Sequence, residues 1–231
     1  MPVLNPTVSG VIIGTSNPSF AGARDATTGT FDGSSARYAD AIKYSKVVGA
    51  RANTYNINRY FIEFNTSGIT VAPTDATLSL YGFTNNSADF FVVKADFSDG
   101  SITNGDFQSI VGWSTGVDNS SNVTKYSSEV ETWSTSGFND ITLNSTALSD
   151  IGASGNRFKL CLIQAENDLA NSDTVTVVNT GLWRTTNVIH LDYTAGASGY
   201  TNNVLGVASA NIAGVNGVAT ANIASVNGSD T

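Results

Sequence analysis

The chain has 231 residues, of which 41% are hydrophobic and 10% aromatic, enough to build a buried core in one large all-β domain or in two smaller domains. A formal charge of −8 with only eleven scattered Lys and Arg residues excludes a basic phosphate-binding surface, so no nucleic acid partner is expected. There is no run of about 18 apolar residues, and "MPVLNPTVSGVIIGTSNPSF" has neither a basic n-region nor a long apolar h-region; neither a membrane span nor a secretory leader is expected.

Residues 1–40 are rich in Gly, Ser, Thr and Ala around the short apolar patch "GVIIG", and read as an extended N-terminal arm with loops. From Ala41 the pattern changes to short β-branched and aromatic runs separated by turn signals: "AIKYSKVV", "NINRYFIEFN", "ATLSLYGF", "DFFVVKADF", "FQSIVGW", "FNDITLN", "RFKLCLIQ", "DTVTVVNTG" and "NVIHLDY". Ala76, Leu78 and Leu80 alternate with Thr77, Ser79 and Tyr81, as a half-buried antiparallel strand requires. Between these runs, Val123, Tyr126, Val130 and Trp133 are spaced for a short helix or an irregular crossover. "NSTALSDIGASG" fits one helical turn capped by Ser145. The expectation is an all-β fold, an antiparallel jelly-roll-like β-sandwich over residues 41–194 with a repeat tail over 195–231.

The run "RYFIEFNTSGITVAPTDATLSLYGF", followed by "VVKADFS", "GWS", "FNDITLN" and "FKLCLI", resembles the DNRLRE-type carbohydrate-binding-module-like jelly rolls over about 150 residues of the chain. Joined to "VASANIAGVNGVATANIASVNG", it is similar to bacteriophage virion proteins, especially marine ones. The resemblance implies a particle component built on a binding-module fold and transfers no catalytic residue.

The repeat consists of two copies of an eleven-residue unit, and no charged residue occurs from Tyr193 to Ser229. In a hairpin reading, Asn216-Gly217 forms a two-residue type I′ turn that pairs Val215 with Val218 and Asn211 with Asn222. In a helical reading, Ala208, Ile212, Val215, Ala219, Ile223 and Val226 form a hendecad stripe, against which Gly206, Gly214 and Gly217 each cost about 1 kcal/mol. A disordered tail normally carries charge or proline to stay solvated. Val207, Ile212, Val215, Val218, Ile223 and Val226 are therefore the expected assembly residues, making a homo-oligomer, a trimer by preference, or docking on other virion proteins.

Catalytic constellations are weak: the lone His190 in "VIHLDY" has no second histidine to join, and Cys161 in "FKLCLI" reads as a buried core thiol. No enzyme activity and no cofactor are expected. Glu166, Asp168 and Asp173, with Asn167 and Asn171, put hard oxygens in one loop that reads either as a calcium site or as a solvated loop. Trp113, Trp133 and Trp183 are candidates for glycan contact or, on the plainer reading, for core and rim packing. The functional expectation is a non-enzymatic phage virion surface protein, a head decoration or short fibre made in the host cytoplasm; the alternative is a receptor- or carbohydrate-binding tail adhesin.

Overall fold

The computed structural model describes residues 2–153, 155, 157–174, 177–184 and 189–196, together with the backbone of 214–215, 218–219, 225–226 and 229–230. The chain forms an all-β antiparallel sandwich, as the alternation of its apolar runs predicts. In order come β1 (Val3–Leu4), β2 (Pro6–Gly14), helix α1 (Phe20–Arg24), β3 (Gly29–Asp32), β4 (Arg37–Val47), β5 (Thr54–Asn65), β6 (Asp75–Asn86) and β7 (Phe90–Lys94). A long crossover then leads to β8 (Phe138–Thr142), helix α2 (Ser145–Ala153), β9 (Arg157–Gln164), β10 (Val178–Trp183) and β11 (Ile189–Thr194).

Two long strands create the layers. The first half of β5 pairs with β4, from Thr54↔Val47 to Asn58↔Lys43, and its second half pairs along the same edge with β9, from Tyr60↔Leu162 to Asn65↔Arg157. Similarly, β6 pairs with β11 over its first six residues and with β10 at Gly82 and Asn86, while β8 lies along its other edge. Because strands twist as they extend, this exchange of partners bends one hydrogen-bonded network into two faces around an inner core. Tyr60, Ile62 and Phe64 of β5, Leu160 and Leu162 of β9, and Phe90 and Val92 of β7 meet Leu78 and Leu80 of β6, Ile141 of β8 and Leu191 of β11.

The opposite residues of the same strands build a second, outer core. Ile57, Phe61, Val93, Cys161 and Ile163 are covered by Ala23 of α1 and by Phe97, Ile102, Phe107, Ile110 and Val123 of the crossover. "FQSIVGW", expected as a strand, is instead a 3-10 turn at Asn104–Gln108 running into a single bridge between Ile110 and Ala95. Thr103 caps that turn, accepting from Gly105 N while its own N–H reaches the Asp106 carboxylate at 2.7 Å, so the turn satisfies its own end groups. The segment around Val123, Tyr126, Val130 and Trp133 is an irregular crossover rather than a helix, clipped to β7 through Lys125↔Val93 and Val130↔Phe90.

Two further expectations are corrected. Residues 1–40 are not an arm: β2 lies between β5 and β3, in register from Ile13↔Asn58 to Pro6↔Phe64 with one irregularity, and buries Val11 and Ile12. The segment "STALSDIGA" forms a nine-residue helix, α2, and the side chain that meets its N-terminal N–H groups belongs to Asn144 rather than Ser145, its Oδ1 accepting from Ala147 N at 3.1 Å.

In the repeat, Gly214 pairs with Ala219 and Val215 with Val218, while Ser225 pairs with Asp230 and Val226 with Ser229. Both pairs flank an Asn-Gly step, as the hairpin reading of the eleven-residue unit requires and the hendecad helix does not. Val207, Ile212 and Ile223, and the expected Asn211–Asn222 pairing, lie outside the described residues.

Candidate functional site

The outer core holds a cluster of buried charged side chains among the described residues. In the strand "NINRYFIEFN" the odd-numbered residues face outward, which places Arg59 and Glu63 beside Phe61 on the face that the crossover covers. Arg59 and Asp168 have fully buried side chains and form a bidentate pair, Nε to Oδ2 at 2.8 Å and Nη2 to Oδ1 at 2.7 Å. The remaining donors of Arg59 reach the Phe107 carbonyl at 2.6 Å and the Arg24 carbonyl at 3.1 Å. Arg24, also fully buried, donates from Nε to the Asp168 carbonyl at 2.5 Å, from Nη2 to the Val117 carbonyl at 2.8 Å and from Nη1 to the Asp25 carboxylate at 2.8 Å. Burial lowers the pKa of Arg24, with Asp168 and Asp25 opposing that shift.

Trp113 closes this arrangement. Its ring lies 4.0 Å from the Arg59 guanidinium carbon and 4.5 Å from that of Arg24, and Phe107 takes another face of Arg59 at 4.2 Å. Planar guanidinium groups stack on aromatic faces while keeping their in-plane donors free for hydrogen bonds. One side-chain assembly thus ties α1, β5, the crossover and the turn after β9 together. A fully buried ion pair contributes little net stability when intact, whereas removing one partner costs about 3–5 kcal/mol. The assembly accordingly acts as a clasp that fixes the crossover on the sheet. Glu63, likewise buried, accepts from Thr7 Oγ1 at 2.6 Å, Gly100 N at 2.9 Å and Arg157 Nη1 at 3.0 Å.

The candidate site residues are dispersed by the fold. Of the three tryptophans, Trp113 belongs to the clasp, and Trp133 is buried in the inner core, donating its indole N–H to the Gly181 carbonyl at 3.0 Å. Trp183 is half-buried on the outer side of β10, its ring 5.2 Å from that of Phe83, with Arg37 over both. No common platform joins the three.

The acids of "QAENDLANSD" also part company. Asp168 points inward to Arg59, Asp173 accepts from Lys46 and Tyr55 at 2.9 Å each, and Glu166 is exposed. Among the described residues no three acidic, histidine or cysteine side chains are gathered as metal ligands, and the segment is not a solvated loop either, because Asn167 and Asp168 are fully buried in the helical turn that follows β9. His190 meets Asp192 at 3.1 Å and the Phe138 ring at 5.1 Å on the outer face of β11, β6 and β8. Cys161 is buried, and desolvation raises its thiol pKa well above its ordinary value, which disfavours the reactive thiolate.

Sequence reasoning missed the clasp and an acidic pair at the edge of the sandwich. Arg59 and Glu63, two and four residues apart from apolar neighbours of the same face, were a readable sign that this face is covered; their partners at positions 24 and 168 carried no such sign. At the edge, Glu129 is held to a pKa of about 7, foremost by its hydrogen bond to Asp89, then by burial and by the charges of Asp89, Glu131 and Glu166. The chain matches no protein-family model and no curated protein.

Proposed function

We propose that the chain is a non-enzymatic surface component of a virion, a head decoration or short fibre, in which the sandwich is the displayed body and the uncharged repeat the attachment element. The observation that carries this reading is the repeat itself: two eleven-residue units without charge, each bringing short strands together across an Asn-Gly step. A two-stranded hairpin is marginal alone in water and gains stability when its apolar faces are covered. The apolar residues of the two units are Val207, Ile212, Val215, Val218, Ile223 and Val226, and identical chains wrapped about an axis, a trimer by preference, would cover an apolar repeat of this kind.

Mass spectrometry of purified particles is expected to find the chain, at hundreds of copies for a decoration and about a dozen for a fibre; absence from particles overturns the reading. Light scattering of the intact chain is expected to give a stable oligomer. A monomer that persists at high protein concentration overturns the homo-oligomer and leaves docking on another virion protein as the role of the repeat.

A tail adhesin is the second reading, supported by the aromatic group on the outer face of β8, β6 and β11. Tyr81 and Phe138 meet edge to face at 5.2 Å, with His190 against Phe138 and Phe138 itself 47% exposed. Antibody labelling at the tail tip favours the adhesin, and labelling over the head favours the decoration.

A further inference from the structure

Followed from strand to strand, the hydrogen-bonded network passes from β8 to β6, β10, β4, β5, β9 and β7 and continues onto the crossover through Val130↔Phe90. Its two ends face each other. Residues 127–132 of the crossover and residues 139–142 of β8 line the two sides of an open cleft of about 410 Å³. We propose that this cleft is a strand-acceptor slot, filled by an extended segment of a partner protein in which apolar residues alternate with Lys or Arg.

The backbone on both sides is set for an added strand. Beside β6, Leu143 N donates to the Ala76 carbonyl at 2.9 Å and the Gly137 carbonyl accepts from Gly82 N at 3.0 Å. In that register residues 137, 139, 141 and 143 turn their N–H and C=O groups to β6, and Asp140 and Thr142 turn theirs away. Across the cleft, Val130 exchanges both bonds with Phe90, so the backbone groups of Glu129 and Glu131 turn away from β7. These groups of Glu129, Glu131, Asp140 and Thr142 have no partner among the described residues, and all four residues are exposed. Unpaired edges are templates for strand addition, and a segment of about four residues at about 3.3 Å each spans the β8 side.

The side chains fix the pattern of the occupant. Val130, half-buried, and Ile141, 6% exposed, belong to the inner core and form the floor of the cleft. An inserted strand places every second side chain against that floor and the others outward, beside Glu129, Glu131 and Asp140. These three carboxylates line the cleft without any Lys or Arg, and none has a cation within ion-pair distance among the described residues. The charges of Asp89 and Glu166 also act on Glu129. Charge therefore chooses between occupants. The repeat is uncharged from Tyr193 to Ser229 and a second copy brings a net charge of −8, whereas a cationic segment is attracted by both rims.

The test uses the intact chain and an acetylated, amidated heptapeptide of alternating Lys and Val, with backbone amide exchange as the readout. Saturable binding is expected, with slowed exchange at Glu129, Glu131, Asp140 and Thr142. A heptapeptide with the same Lys and Val residues segregated into two blocks, and one of alternating Glu and Val, are expected to leave these amides unchanged. Glu131→Lys, a substitution at an exposed position whose folding is checked by its melting temperature, is expected to weaken binding roughly tenfold, with Glu131→Gln in between. The proposal is overturned if the alternating Lys and Val peptide leaves the four amides unprotected, if either control peptide protects them equally, or if Glu131→Lys binds as the parent does. Protection of all four before any peptide is added overturns the cationic partner and assigns the slot to a second copy or to the chain's own repeat. None of these outcomes depends on whether the chain is found in particles.

Discussion

On one face of β5, Tyr60, Ile62 and Phe64 are buried against apolar side chains of the opposing layer; on the other, Arg59 and Glu63 are equally buried on either side of Phe61. The inner face is closed by strands, whose backbone groups pair with one another, so its side chains can be purely apolar. The outer face is closed by an irregular crossover and by the turn after β9, whose backbone carbonyls at Phe107 and Val117, and at Asp168, have no sheet partner and must find donors. Guanidinium groups supply them, with five N–H donors each. The type of cover therefore dictates the chemistry beneath it: strand cover permits hydrocarbon, and loop cover calls for buried cations with a carboxylate to balance them.

This contrast breaks most sharply at Asp168. Asp168→Ala leaves two buried guanidinium groups short of their counter-charge and is expected to cost about 3–5 kcal/mol in urea unfolding. Replacing the Arg59–Asp168 pair by Met and Leu is expected to recover part of that loss, because no charge is stranded while the Phe107 and Arg24 carbonyls lose the donors that Arg59 gave them. If the double variant is as unstable as Asp168→Ala, the ion pair itself, rather than the uncompensated charge, holds the crossover down.

On the inner face the matched change is Leu160→Ala, which removes packing without stranding a charge and is expected to cost about 2–5 kcal/mol with the crossover still docked. Limited proteolysis separates the two: cleavage between residues 95 and 137 should rise in Asp168→Ala and follow only global unfolding in Leu160→Ala. A smaller effect is expected at Gly181, which lies in the register irregularity of β10 between Thr180 and Leu182. A Cβ there would lie 1.9 Å from the Phe83 carbonyl oxygen, so Gly181→Ala forces the strands apart and is expected to lower stability by about 1–3 kcal/mol.

The same contrast explains what was legible beforehand. Strands such as β9, "RFKLCLIQ", announce themselves because both faces are buried and the run is apolar and bounded. β2 did not, since Gly10 and Gly14 read as loop punctuation. Their actual role is close approach: a Cβ at Gly10 would lie 2.5 Å from the Asp32 carbonyl oxygen of β3, and one at Gly14 would lie 2.4 Å from that of Ile57 in β5. In the repeat, Asn-Gly is a local signal, and the strand pairs Val215↔Val218 and Val226↔Ser229 lie on either side of it. The clasp was half legible, in Arg59 and Glu63, because its partners are brought in from positions 24 and 168 by tertiary folding.

The smallest expected effect tests the edge where strand cover gives way to crossover. Val130 exchanges both backbone hydrogen bonds with Phe90, at 2.8 and 3.3 Å, which turns the backbone groups of Glu129 and Glu131 away from β7. The Glu129 side chain meets Asp89, and this contact, foremost the hydrogen bond, raises its pKa from an ordinary 4.5 to about 7 in the folded state. The native protein thus holds a proton that the unfolded chain releases near 4.5. The resulting stabilisation is fully present below pH 4.5 and is lost as pH rises through about 7. Glu129 is largely exposed, so solvent screening keeps the effect small. Melting curves of parent and Glu129→Gln between pH 4 and 8 isolate it, because the amide keeps the donor to Asp89 without titrating, and all other groups are common to both chains. The parent's melting temperature is expected to fall relative to the variant's across that interval and to run parallel to it above pH 8. Parallel profiles throughout would show that the pair carries no shared proton and that the crossover is held at this edge by backbone bonds such as those of Val130.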